Sequence, residues 1–199
     1  MSDRRWFVGL DVHQSATWAA ALDPDSGELR RRRRAGPPEA AVALLGELEG
    51  SVVAVYEAGP TGYGLVRAAE REGICVRVCA PGLVARKPAE RRKTDVRDAE
   101  HLARQLAAGA LSFCRVPTED EERLRDLVRA REDVRGDLMR ARHRLSKLLL
   151  RRGVRYPGPL GAWSVPHLRW LERLQFPDLA SRAVFGDYLA AVQGLLQRR

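Results

Sequence analysis

Residues 6–13, WFVGLDVH, decide the reading of the fold. The run is apolar, β-branched and aromatic, which predicts a buried strand, and a single acid, Asp11, interrupts it near its end. A second strand is expected in ATWAAALDP, and Pro24-Asp25-Ser26-Gly27 is turn chemistry. ELRRRRRAG then fits a third, solvent-facing strand, so the chain opens as an antiparallel meander. Pro37-Pro38 suits the first turn of a helix running to about Leu48. SVVAVYEAG reads as a fourth strand, GYGLVRAAEREG as a helix ending at Gly73, and ICVRVCAP as a fifth strand. Three strands followed by alternating helices and strands predict an α/β domain with a mixed sheet and flanking helices.

The next helix, KTDVRDAEHLARQL (residues 93–106), carries acids in an unusual place. At about 100° per residue, Val96, Ala99, Leu102, Ala103 and Leu106 form one apolar stripe. Asp95 falls near the middle of that stripe and Asp98 on its border, so both are expected to face the protein body. Glu57 ends the fourth strand much as Asp11 ends the first. Each acid alone has an ordinary explanation: a capped turn, an arginine partner, a helix N-terminus. Together they imply four carboxylates converging on one sheet edge, which is costly unless cations neutralise them. Hard, oxygen-seeking Mg²⁺ or Mn²⁺ suits such a cluster, and two ions roughly 3.5–4 Å apart clamp the attacking and leaving oxygens of a phosphodiester.

The blocks VGLDVH, YEAGPTGYGL and KTDVRDAEHLAR resemble the signatures of the DEDD transposases of insertion-sequence family one-ten and their Piv-type invertase relatives. The resemblance spans roughly residues 6–176. It implies an RNase H-like, RuvC-like domain in which Asp11, Glu57, Asp95 and Asp98 are the catalytic, Mg²⁺-binding carboxylates. It further implies DNA as substrate, a structured bridge RNA as guide, and a second domain whose serine attacks DNA. Ser146, Ser164 and Ser181 match nothing in that second domain, so the sequence reads as a transposase lacking it.

The domain reading is a catalytic domain over 1–116, a long helix over 117–153, and a helical tail over 154–199. Thr118 and Glu121 match a capping box. Taking Leu124 as position a puts Leu124, Arg131, Leu138 and Leu145 at a, and Leu127, Val134, Ala141 and Leu148 at d. Seven of these eight are apolar, predicting a coiled coil or a helical hairpin, with a homo-oligomer formed through the long helix and a lone amphipathic helix as the plainer alternative. The tail is expected to lack a packing partner for Trp163, Trp170, Leu171, Leu174 and Phe176.

Among 199 residues, Lys and Arg outnumber Asp and Glu by 35 to 26, a net charge of +9 that favours a polyanionic partner. Arg86, Lys87, Arg91, Arg92 and Lys93 are expected to contact phosphates. So are Arg140, Arg144, Lys147 and Arg151, which lie in a segment, Leu138 to Leu171, that contains no acid. In the run Arg30 to Arg34 alternate residues face opposite sides of a strand, so only part of it can meet one ligand. His13 is expected to be a hydrogen-bonded structural residue, with substrate or metal contact as the rarer case. Gly59-Pro60-Thr61-Gly62 fits either a plain turn or close approach of a nucleic-acid strand. Three cysteines without a paired spacing, no secretory signal and no membrane-length apolar run predict a cytoplasmic protein. The competing functions are a stand-alone RuvC-like nuclease selective for branched DNA and a non-catalytic nucleic-acid-binding fragment. An actin-like ATPase ranks last, because DVHQSATW lacks a phosphate-binding Gly/Thr hairpin.

Overall fold

The structure is a computed structural model that describes residues 4–80 and 95–199. Two compact units divide the chain, Met1–Val116 and Pro117–Arg199.

The first unit is built on a six-stranded sheet. Its strands are β1 (Arg5–Val12), β2 (Ala16–Leu22), β3 (Leu29–Ala35), β4 (Ser51–Glu57), β5 (Cys75–Cys79) and β6 (Phe113–Cys114). Their order is β3-β2-β1-β4-β5-β6. β1, β2 and β3 pair antiparallel, while β1–β4 and β4–β5 pair parallel. The meander turn is fixed by Asp23, whose carboxylate accepts the Asp25 N–H at 3.0 Å and the Ser26 hydroxyl at 2.7 Å. Gly27 closes that turn at φ 74°, a conformation costly for a residue with a Cβ. The expected helix after Pro37 breaks into a 3₁₀ turn, Pro38–Ala40, and a short α1, Ala41–Gly46. β6 was not legible in the sequence, since two residues carry no periodicity.

α1 and α2 (Gly64–Arg71) share an apolar core on one sheet face with Trp6, Val8, Leu10, Ala54, Tyr56, Val76 and Val78. The opposite face receives α3 (Asp95–Ala107), whose buried residues are Ala99, Leu102, Ala103 and Leu106, four of the five in the predicted stripe, with Val96 half-buried. Leu102 and Leu106 pack with Val55 and Cys79, and Ala99 and Ala103 with Ala20. Burying a leucine side chain contributes about 2 kcal/mol, so this stripe is what holds α3 on the sheet. The close fit depends on Gly9. A Cβ there would stand 2.0 Å from the Ala99 carbonyl oxygen and 2.5 Å from the Ala103 nitrogen. With helices on both faces of a mixed sheet that opens as a meander, the unit has the RNase H-like α/β fold.

The second unit consists of α4 (Glu119–Arg151), α5 (Val165–Arg173) and α6 (Leu179–Gln197). Thr118 caps α4 as the sequence implied: its hydroxyl accepts the Glu121 N–H, and the Glu121 carboxylate accepts the Thr118 N–H at 2.8 Å. The heptad seam divides in two. Val134, Leu138, Ala141, Leu145 and Leu148 are buried, whereas Leu124 and Leu127 are 61% and 68% exposed. The tail does have a packing surface, contrary to expectation. Leu171, Phe176, Phe185 and Val192 join the C-terminal half of the α4 seam in one core, with Trp163, Trp170 and Leu174 against it. That half of the seam is therefore filled from within the chain. Among the described residues no helix is long and apolar enough to cross a membrane.

Candidate metal centre and nucleic-acid-binding residues

β1 and β4 run parallel side by side, so their carboxyl ends reach the same sheet edge, where open α/β sheets commonly bind ligands. Asp11 lies at that end of β1. Alternation along the strand puts Phe7, Gly9 and Asp11 on the α3 side, while Trp6, Val8 and Leu10 enter the opposite core. Because Gly9 lets α3 sit directly on β1 at Ala99, the first turn of the helix lies alongside the strand end. Asp95 opens that turn and Asp98 follows it.

The side chains that meet are Asp11, His13 and Asp95, whose candidate ligand atoms all lie within 4.8 Å of one another. His13 Nε2 stands 3.2 Å from Asp11 Oδ2 and 3.9 Å from Asp95 Oδ2. Burial raises the Asp11 pKa above the ordinary aspartate value. The His13 hydrogen bond and charge oppose that shift, and the nearby charges of Asp95 and Asp98 add to it. An acid that resists ionisation because of burial and like charge is one that a divalent cation would stabilise in its charged form.

One sequence expectation needs correction here, and a second gains a partner. Asp95 does not face the protein interior: it is exposed, with its side chain 52% accessible. The helical wheel placed it on the apolar stripe, but it lies at the end of the helix, where that stripe has run past the sheet edge. His13 is hydrogen-bonded, as expected, and its partner is the Asp11 carboxylate. It sits one residue beyond β1, exposed, between two carboxylates. The Asp-x-His spacing carried the signal, since residues two apart in a strand share a face, but exposure is not visible in a sequence.

Glu57 and Asp98 do not belong to the tight group. Asp98 is close enough for its charge to act on Asp11. Glu57 ends β4 one step beyond the last paired residues, Leu10 and Tyr56, and its strand alternation puts it on the α3 side with Val55. It is half-buried, and it helps to raise its neighbour Cys79, whose thiol burial pushes up to about 11. The loop after Glu57 closes as a turn: the Gly62 N–H donates to the Gly59 carbonyl at 3.3 Å, and the Tyr56 hydroxyl donates to the Gly62 carbonyl at 3.0 Å.

The donor set fits a hard divalent cation. Carboxylate oxygens suit Mg²⁺ and Mn²⁺, and one imidazole beside them shifts the preference toward Mn²⁺. Asp11, His13 and Asp95 would hold the ion.

Of the basic residues expected to contact nucleic acid, Arg86, Lys87, Arg91, Arg92 and Lys93 lie outside the described residues. Arg144, Lys147 and Arg151 are exposed on α4. Arg140 is exposed as well, and it pairs with Asp137 one turn earlier, which reduces the net field it offers. The run in β3 divides as alternation requires. Arg30 stacks over Trp6 at 4.7 Å on one face, while Arg33 lies over Trp18 at 5.6 Å and Arg31 binds Glu100 of α3 on the other.

The mixed α/β sheet gathers carboxylates and a histidine where its central strand ends, which defines a protein able to hold a divalent cation at its sheet edge. Comparison with known families makes the assignment specific. The family model of the DEDD transposases of the IS110 type matches residues 8–152, and the chain belongs to that transposase family. A Sinorhizobium fredii protein named as transposase y4qE is 38% identical over 195 residues, covering 95% of this chain and 50% of its own length. The transposase for insertion sequence element IS1533 of Leptospira borgpetersenii is 33% identical over 196 residues, covering 96% of this chain and 56% of its own. The chain thus spans about half the length of these curated relatives. Among solved structures, the large terminase nuclease from thermophilic phage G20c aligns over 55% of this chain and 58% of that one. Its identity is 18% and its TM-score 0.32.

Proposed function

We propose that this chain carries the metal-dependent DNA-cleaving centre of an insertion-sequence transposase. The observation that supports it most directly is the grouping of Asp11, His13 and Asp95 at one sheet edge, with Asp98 acting on the same carboxylate. Asp11, Glu57, Asp95 and Asp98 form the catalytic set in this reading, with His13 added from the geometry. The ions are Mg²⁺ or Mn²⁺, two of them when DNA is bound.

Bound cations would supply charge stabilisation to a phosphodiester undergoing displacement. The residues themselves do the rest. Asp11 and Asp95 present carboxylate oxygens at the cleavage point, and His13 hydrogen-bonds Asp11 and fixes its orientation. Half-buried Glu57 completes the negative edge from β4. α3 holds Asp95 and Asp98 at a fixed height above β1 because its backbone rests on Gly9.

The exposed basic residues of α4 and the segment before α3 are assigned to nucleic acid: DNA as substrate, with a structured guide RNA as the second polyanion. Leu124 and Leu127, exposed at heptad spacing, support self-association through the N-terminal half of α4. The compartment is the cytoplasm, consistent with three free cysteines.

The test is an Mn²⁺ titration of the 199-residue chain followed by electron paramagnetic resonance, with nicking of supercoiled DNA as a second readout. Asp11→Asn and Asp95→Asn should each weaken Mn²⁺ binding by about tenfold or more and abolish nicking. Equal Mn²⁺ affinity in the wild type and both variants rejects the reading.

A further inference from the structure

Strand register places three side chains in one row across the sheet. Asp11 of β1 pairs with Trp18 of β2, and Trp18 pairs with Arg33 of β3. Directly opposed residues in antiparallel strands point to the same face, so Arg33 shares the α3 face with Asp11. Trp18 belongs to the small core under α3 with Ala20, Ala99 and Ala103, which confirms the side from packing alone. The Arg33 guanidinium is 5.6 Å from the Trp18 ring centroid. Arg33 is exposed, and among the described residues no carboxylate pairs with it. Its neighbour on the same face, Arg31, is already bound to Glu100.

We propose that Arg33, held over the Trp18 ring, binds a backbone phosphate of the DNA strand whose scissile bond lies at Asp11. The inference rests on the cleavage reading above and extends it to a residue that neither the family signatures nor the acidic cluster includes. Strands lie about 4.8 Å apart, so Arg33 stands about 10 Å from Asp11 along the row. That separation is within the reach of one DNA strand, so the bound phosphate lies within a few nucleotides of the cleaved bond. Phosphate binding suits this side chain. An arginine stacked on an aromatic ring is pre-oriented, and its fork meets phosphate oxygens in two parallel hydrogen bonds. The position also balances the site. A strand drawn toward carboxylates needs a cation close by, and the row supplies one on the side away from Glu57. Arg32 is the natural control, because it carries the same charge one residue earlier but faces the α1 side with Leu44 and Leu45.

Fluorescence anisotropy with the full 199-residue chain and a short labelled DNA duplex, in Ca²⁺ to suppress cleavage, tests this. Arg33→Ala should weaken binding about three- to tenfold and lower the slope of log affinity against log salt by about one between roughly 50 and 200 mM salt. Arg33→Lys, which keeps the charge without the planar fork, should recover the slope but only part of the affinity. Arg32→Ala should change binding by less than half as much on the logarithmic scale. Equal losses in Arg33→Ala and Arg32→Ala mean that diffuse charge alone is felt, and they overturn the inference while the cleavage reading stands. A loss confined to RNA of the same sequence overturns the assignment to DNA. Absence of DNA binding by the wild-type chain overturns both.

Discussion

Gly9 and Ala99 stand so close that the strand residue cannot carry a side chain: a Cβ on Gly9 would lie 2.0 Å from the Ala99 carbonyl oxygen. The contact joins β1, which bears Asp11, to α3, which bears Asp95 and Asp98. One missing methyl group therefore sets the spacing of a carboxylate group drawn from two distant parts of the sequence.

Gly9→Ala tests that dependence. Alanine in a strand interior is normally the better residue by roughly 0.5–1 kcal/mol. Here the clash is with helix backbone, which cannot rotate away, and a loss of about 3 kcal/mol or more is expected. Urea denaturation monitored by circular dichroism reads it. A variant as stable as the wild type would show that α3 does not rest on β1 as described.

His13 and Asp95 can be ranked by their contribution to cation binding. His13 adds a neutral donor, whereas Asp95 adds charge. His13→Ala should therefore weaken Mn²⁺ binding less than Asp95→Asn, and it should narrow the preference for Mn²⁺ over Mg²⁺. Competition titrations with the two ions measure both effects. Identical ion preference in His13→Ala and the wild type would assign His13 to orienting Asp11 only.

In the second unit, His167 should make stability depend on pH. It is 5% exposed, and its Nδ1 accepts the Trp163 N–H at 3.0 Å, which holds Trp163 at φ 70°. Burial lowers its pKa below the ordinary 6.5, so between the two values the unfolded chain binds the proton and the folded chain does not. Its contribution to stability is complete above pH 6.5 and declines as pH falls below it. Protonation also removes the acceptor on Nδ1. Tryptophan fluorescence during urea unfolding at pH 7.5 and pH 5.5 should show a lower midpoint at the acidic pH. His167→Gln should flatten the difference, and an undiminished difference in that variant would assign it to other groups.

Thr118→Ala removes the side-chain acceptor of the α4 capping box, leaving the Glu121 N–H to solvent. The expected loss is about 1 kcal/mol, visible as a lower thermal midpoint of the second unit. No change in midpoint would mean that the first turn of α4 is already frayed in solution.

Much of this architecture was legible from residue patterns, and the failures have physical causes. The five longer strands and the α3 stripe follow from periodicity, which is a local property. β6 is two residues long and is held by pairing with β5, a relation that no local pattern encodes. The tail looked unsupported because its partner is the α4 seam, and heptad spacing alone does not choose between a hairpin within the chain and a coiled coil with another copy. Four acids were singled out by type and context, yet the cluster is tightest around Asp11, His13 and Asp95. Asp95 was misplaced because a helical wheel has no ends, whereas α3 meets the sheet only from Ala99 onward. His13 was legible as a hydrogen-bonded residue, but D-x-H fixes only a shared face and does not name Asp95 as its second neighbour.

β3 is the outermost strand of the sheet on the meander side, with Arg30 to Arg34 along it. A border strand leaves a row of N–H and C=O groups able to recruit another chain's strand and start a growing stack. Arg30 and Arg31 are paired with Glu28 and Glu100, but Arg32, Arg33 and Arg34 still make that encounter repulsive, because a second copy would bring like charges into register. Neutralising the run with alanine or threonine would remove that barrier and turn a free margin into a seed for aggregation.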